Sequence, residues 1–357
     1  MTFHWLSPVS VCAWDWNALE QGTGGNEQGV GEMAHRLAAR GHECNIYCDV
    51  PWEEGAREWR GTTWRHFKTC NFQQPGIWLL CRCPQAAAQF AVRPDQKVWL
   101  IVQDFEYDWS ADYFDRIDRI LFTCQTHYDI IARRHPQLLP KMGLTANGVK
   151  VDLIEDLERN EALVRNPHKI IYASSPDRGL RNLLRIFGRA REVLPDLELH
   201  AFYGFDGIDA IAKRPGGWPP MEREKALITE LAARTAGVQL RGRVTQTQLY
   251  REWLTSGMMV YCTTFFEMSA VALREAQCGG AVPIVSPVWG LGDNLRHGVA
   301  IQGDPADEMT IARFTGEVIR MANPDYQERI RAEMMPDARK AFDWQVYLPQ
   351  WEEMANG

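Results

Sequence analysis

Long apolar runs are missing from this 357-residue sequence. Nowhere do the roughly 20 consecutive apolar residues needed to cross a bilayer as a helix occur, so a soluble chain is expected. The N-terminal stretch MTFHWLSPVSVCAWDW lacks both a basic leader and a clean apolar core, which argues against an export signal and for a cytoplasmic protein. Runs of Lys or Arg are absent too. With a formal net charge of −7, a broad electrostatic footprint on nucleic acid or anionic lipid is not expected. The nine cysteines include no C-x-x-C pair, which excludes a dense disulfide framework and favours reduced thiols in a cytosol. Alternation along GIWLLCRC is expected to put Cys81 and Cys83, buried, on one strand face. A strict Asp-x-Asp is lacking as well; its nearest substitute is the alternating acids Asp104, Glu106 and Asp108. His127, His135 and His297 show no metal-ligand spacing, so no metal site is expected.

What is present is an alternation of short apolar runs with longer helical patterns, repeated in two halves, and a chain length that suits two domains. The first half offers TFHWL, CNIYCD, TWRHFK, GIWLLCRC, KVWLIVQD and RILFTC as strands. The second offers HKIIYASS, LELHAFYG, VQLRGRV, MMVYCTT, AVPIVSP and GVAIQG, with helices starting near Asp177, Glu222, Thr245, Met268 and Asp307. Near-continuous apolar strands of this kind form parallel sheets covered on both faces. The polar, acidic stretch 152–167 reads as the linker, with a cleft opening there. The expected division is a Rossmann-like domain over 1–160, a second over 161–335, and a helical tail over 336–357, broken at Pro336 and Pro349, crossing back to the first.

Chemistry concentrates in FEMSAVALREAQCGG. Ligands of open α/β sheets sit beyond the carboxyl ends of strands, and Glu267 follows the strand ending near Thr264. Glu275 comes eight residues later, inside the following helix. A carboxylate can take both vicinal hydroxyls of a ribose, and amides at a helix start can receive phosphate. Together these groups suit a nucleoside diphosphate.

With Glu267, Glu275, Gly279, Gly280 and the strand AVPIVS in that order, the sequence resembles the retaining glycosyltransferases of the family 4 group, and the resemblance covers nearly the whole chain. It implies the GT-B fold, two facing Rossmann-like doubly wound parallel-sheet domains with an interdomain cleft. It also implies that Glu275 holds the donor ribose and that Glu267 lies by the transferred sugar or the phosphates, with Met268, Ser269 and Ala270 on the donor. Ala270 stands where many members have glycine. In YASSPDRGLRNLLRIF, Arg178 matches the family's lysine before glycine, a cation for the diphosphate leaving group. A serine near Ser174 occupies the family's arginine position, so Arg181 and Arg243 are further candidates for that charge. GTGGNEQGVGEMAHRLAARGHE looks like the family's glycine-rich loop, with Gly24 and Gly25 toward the donor. Gln103 stands where many relatives have histidine; it and Asp104 are candidates for a sugar or the acceptor. Asn147-Gly148 reads as a turn. Trp14, Trp16, Trp109 and Trp289 lie in predicted loops where a ring could stack on a sugar.

The expected activity is therefore glycosyl transfer from a nucleotide-diphosphate sugar to a hydroxyl acceptor with retention and without a metal cofactor. A nucleotide-sugar epimerase on the same scaffold and a non-catalytic carbohydrate- or nucleotide-binding protein are the alternatives.

Overall fold

Runs rich in β-branched, aromatic and leucine residues become the strands of two sheets. The first holds β1 (Thr2–Ser7), β2 (Glu43–Cys48), β3 (Ala56–Trp59), β4 (Thr62–His66), β5 (Gly76–Cys81), β6 (Gln96–Val102), β7 (Arg119–Phe122) and β8 (Met142–Leu144). Their order is β3-β4-β2-β1-β5-β6-β7-β8, all parallel except the antiparallel pair β3–β4. Helices α1 (Trp16–Gln21), α2 (Gly25–Ala39) and α3 (Gln125–Arg134) belong to the same layer system. Alternation sends Phe3 and Trp5 into one core and Leu6 into another.

The second sheet holds β9 (Asn166–Tyr172), β10 (Glu198–Phe202), β11 (Val238–Gly242), β12 (Ser256–Tyr261), β13 (Val282–Val285) and β14 (Val299–Ala300). It is wholly parallel in the order β11-β10-β9-β12-β13-β14. Around it run α4 (Val151–Asn160), α5 (Leu180–Val193), α6 (Asp206–Ala212), α7 (Pro219–Arg234), α8 (Gln246–Thr255), α9 (Val271–Gly279), α10 (Gly290–Asn294), α11 (Glu308–Met321) and α12 (Pro324–Phe342). The strand order reverses between β9 and β12, the switch point where such sheets bind ligands.

This computed structural model describes residues 1–91 and 93–357. Its two compact units are Met1–Gly148 with Trp344–Gly357, and Val149–Asp343. These bounds differ from the expected divisions at 160/161 and 335/336. The stretch read as a linker is α4, whose Val151, Ile154 and Leu157 recur at helical spacing and are buried in the second unit. A bidentate Arg251–Glu161 pair then fastens its end to α8.

The helices do not break at the tail prolines either. Pro336 lies inside α12, and Pro349 inside α13 (Trp344–Asn356). A proline removes one helical hydrogen bond, and the burial of Arg331, Met334, Ala338 and Phe342 along α12 carries the helix through it. Within the first unit, the Trp351 indole N–H donates to Thr145 Oγ1 at 2.9 Å and Arg40 pairs with Glu352 at 2.6 Å.

Cys81 and Cys83 are buried but face opposite cores. β5 ends at Cys81, Arg82 takes a φ of 63°, and the chain turns before Cys83.

Helix α9 is anchored at its far end by three guanidinium groups. Arg339 Nε donates to Cys278 O at 2.9 Å, Arg165 to Gly279 O at 2.9 Å and Arg331 Nε to Gly280 O at 2.7 Å. Cations there satisfy the terminal carbonyls and complement the helix dipole. Burial, with Arg331 close by, pulls Arg165 down to about 9.

Candidate functional site

At the switch point of the second sheet, the turn after β9 carries Arg178 and the turn after β12 carries Glu267. The two turns approach closely because Gly179, at φ 140°, has no side chain; a Cβ there would stand 2.7 Å from Cys262 O. Glu267 Oε1 collects three donors: Tyr261 OH at 2.6 Å, Arg178 Nη1 at 3.1 Å and Ser174 Oγ at 3.2 Å. Ser174 Oγ also lies 2.9 Å from Tyr261 OH.

Burial, followed by the Glu267 charge, pushes the Tyr261 phenol well above its ordinary range, so it remains a donor. Burial alone would lower Arg178; the charge and hydrogen bond of Glu267, together with Tyr261 and Tyr203, outweigh it and hold the guanidinium above its usual value. The guanidinium also lies over the Phe265 ring, 4.2 Å from its centroid. The result is a fixed cation and a fixed carboxylate, with the Arg178 side chain 34% exposed and that of Glu267 13% exposed.

Helix α9 begins at Val271 rather than near Met268. Met268, Ser269 and Ala270 form the loop before it, because Ala270 takes the left-handed conformation (φ 47°, ψ 43°) at the N-cap. That conformation is costly for any residue with a Cβ, and it accounts physically for glycine being suited to this position. Ala270 supplies no side-chain cap. The loop is pinned by Gly290 N–H, which donates to Glu267 O at 2.8 Å.

Glu275 has a different setting. It is 5% exposed and accepts from Gln246 Nε2 at 3.0 Å. Burial raises its pKa, while hydrogen bonds from Gln246, Tyr250 and Trp253 pull the other way.

Arg181 and Arg243 do not join the Glu267 network. Arg181 Nε pairs with Glu224 at 3.0 Å, and Arg243 Nε lies 3.5 Å from Asp206 with its guanidinium over Tyr203.

In the first unit, Gly24 is the N-cap of α2 and Gly25 its first residue. Asn147, read only as part of a turn, donates to Gly25 O at 3.3 Å. Gly29 leaves room for it, since a Cβ there would meet Asn147 Oδ1 at 2.3 Å. Asp104 is held by Arg82 Nε at 2.9 and 3.0 Å. Trp14 and Trp109 are buried. Trp16 packs on Trp52 and Trp64. Among the described residues, no three His, Cys, Asp or Glu gather as metal ligands, and no helix is long and apolar enough to cross a membrane.

Several polar atoms are buried without a hydrogen-bond partner among the described residues: both amide atoms of Asn26, Gln103 Oε1, Arg178 Nε, Gln246 Oε1 and Ser269 Oγ. Leaving such atoms unpaired is expensive. Arg178, Ser269 and Gln103 were legible as candidates. Asn26, Gln246, Tyr261 and Ser174's part in the network were not; the only signal was their position just after Gly25, at a helix start or at a strand's carboxyl end.

No protein-family model matches the chain, and no curated protein does. Solved structures do. A trehalose-6-phosphate synthase, OtsA, superposes with a TM-score of 0.74 at 10% identity, covering 99% of this chain and 98% of that one. The sucrose-phosphate synthase of Thermosynechococcus elongatus gives 0.71 at 13% identity, with 99% and 98% covered. Anabaena Alr3699/HepE, solved with UDP and glucose, gives 0.65 at 12% identity, with 99% of each covered. Other matched proteins are longer, and the chain spans 55%, 56% and 63% of three of them. The chain therefore has the GT-B fold, an α/β architecture of two Rossmann-like parallel-sheet units.

Proposed function

We propose that this protein is a cytoplasmic, retaining, metal-independent glycosyltransferase that moves a sugar from a nucleoside-diphosphate sugar to a hydroxyl acceptor. The observation that carries the reading is the Glu267 carboxylate, held by Tyr261, Ser174 and Arg178 at the switch point of a GT-B sheet. The UDP and glucose bound by the similarly folded HepE support the choice of donor class.

In this reading Arg178 faces the diphosphate. As the bond between the anomeric carbon and the phosphate oxygen breaks, its electron pair passes to that oxygen, and a fixed cation stabilises the growing charge. The acceptor oxygen forms the new bond on the same face, and its proton passes to the departing phosphate. Glu267 orients the transferred sugar, Ser269 and the neighbouring Met268 and Ala270 backbone meet donor oxygens, and Glu275 takes the ribose hydroxyls. Gly24, Gly25 and Arg243 are assigned to the donor, and Gln103 and Asp104 to a sugar or acceptor hydroxyl.

The test is thermal unfolding with UDP-, GDP-, ADP- and dTDP-glucose, with and without EDTA. A true donor at 100 times its Kd stabilises by about 2.7 kcal/mol. No stabilisation by any of them rejects the donor assignment. Loss of turnover in EDTA rejects metal independence, and an inverted linkage in the NMR spectrum of the product rejects retention.

A further inference from the structure

Beside Glu267 the second unit exposes aromatic surface that the donor assignments above do not use. Phe266 is 48% exposed. Its ring packs against Trp289, 4.9 Å between centroids at 39°. Trp289 comes from the turn after β13, and that turn is fastened to the Glu267 loop by the hydrogen bond from Gly290 to Glu267 O. Gly290 allows this approach because a Cβ would stand 2.5 Å from the same oxygen.

The backbone of Trp289 makes the arrangement more informative. Its φ of 47° and ψ of −127° lie in a region natural to glycine. Holding a large side chain there strains the backbone, and strain of this kind gathers at ligand sites. A glycine would meet the turn's needs without strain, so the indole has to be accounted for by what it touches. Of the four loop tryptophans, Trp14 and Trp109 are core residues and Trp16 packs among other indoles. Trp289 adjoins the Glu267 loop through its neighbour Gly290.

We propose that Trp289 and Phe266 form a wall for the apolar face of a pyranose ring whose hydroxyls turn toward Glu267. This rests on the glycosyltransferase reading. A pyranose has C–H groups on its faces and hydroxyls on its rim. Aromatic rings beside a carboxylate complement both. The ring belongs either to the donor's glycosyl unit or to a sugar acceptor, and the two sources separate in binding measurements.

The variants are Trp289→Gly and Phe266→Leu. The probes are UDP-, GDP-, ADP- and dTDP-glucose, each paired with its nucleoside diphosphate, and free glucose and maltose added over saturating nucleoside diphosphate. Calorimetry reads each Kd. Both variants keep the wild-type affinity for the nucleoside diphosphate, which reports an intact fold and pocket. Trp289→Gly also unfolds at no lower temperature than the wild type, because glycine relieves the strain.

A rise of roughly three- to tenfold in the Kd of the nucleotide sugar assigns the wall to the donor ring. The same rise confined to free glucose or maltose assigns it to an acceptor sugar. If neither changes in either variant, the wall is not a sugar subsite. A wild-type protein that binds no nucleotide sugar removes the function reading itself, an outcome distinct from wild-type binding that ignores both substitutions.

Discussion

The two units present their candidate groups in opposite ways. In the second, side chains dominate: a guanidinium, a phenol and a hydroxyl converge on the Glu267 carboxylate at hydrogen-bond distance. In the first, the backbone dominates, with Gly24 and Gly25 opening α2 and Asn147 steadying Gly25 from behind. Charge is expensive to hold in place and needs a network. An amide at a helix start is already oriented by the helix. The charged arrangement is suited to stabilising charge that develops during reaction, and the backbone arrangement to receiving oxygens that are already there.

The comparison breaks most visibly at Glu267. Glu267→Gln keeps shape but leaves Tyr261 and Arg178 without their charged acceptor. A fall of roughly 100- to 1000-fold in kcat is expected, the scale seen when one preorganised electrostatic contact is removed. Steady-state kinetics with KM for the donor changed far less would support it; a loss under tenfold would place Glu267 outside the chemistry.

A smaller effect is expected at Glu275. Its folded pKa is raised by burial, so the folded state holds the proton more tightly than the unfolded state. Its contribution to stability is full below the ordinary carboxylate range and is lost as pH rises through the raised folded value. Glu275→Gln removes that loss. The variant should gain a few degrees in Tm over wild type near pH 7, at roughly 2–4 °C per kcal/mol, and the gain should vanish near pH 4. A gain independent of pH would contradict the direction of the shift.

The smallest effect lies in the first unit, at Asn26. Both of its amide atoms are buried without a hydrogen-bond partner among the described residues, so Asn26→Ala removes unsatisfied groups instead of bonds. Stability is expected to stay level or rise by about 1 kcal/mol, read by urea unfolding, while affinity for the nucleotide sugar falls. A clear loss of stability would show that Asn26 supports the loop rather than a ligand.

Periodicity carried most of the fold. The strands around Ile46, Leu79, Leu100, Ile170 and Val260 read directly as apolar runs because parallel strands buried on both faces leave no polar alternation. Strands β3 and β8 were not legible: one is polar and exposed, the other three residues long. Helix α4 was mistaken for a linker because its outward face is acidic while only Val151, Ile154 and Leu157 turn inward. Among site residues, Glu267 and Arg178 announced themselves by spacing and neighbours, and the structure brings them to 3.1 Å. Arg181 stands three residues after Arg178 in the sequence but pairs with Glu224. Arg178 lies in the turn before α5, and Gly179 at φ 140° redirects the chain before Arg181 enters the helix.

By itself the sequence determined the alternating strands and helices, the glycine turns and the residue types able to meet a nucleoside diphosphate. These are local properties, written in hydrophobic period and in the special conformations of glycine. Only the tertiary structure decided which of those groups converge. It joined Tyr261 and Ser174 to Glu267, buried Glu275 against Gln246, and set Trp289 in a glycine-like conformation beside Phe266. Convergence depends on contacts between segments 80 to 100 residues apart, such as Ser174 with Tyr261 and Arg178 with Glu267, and no local pattern encodes those distances.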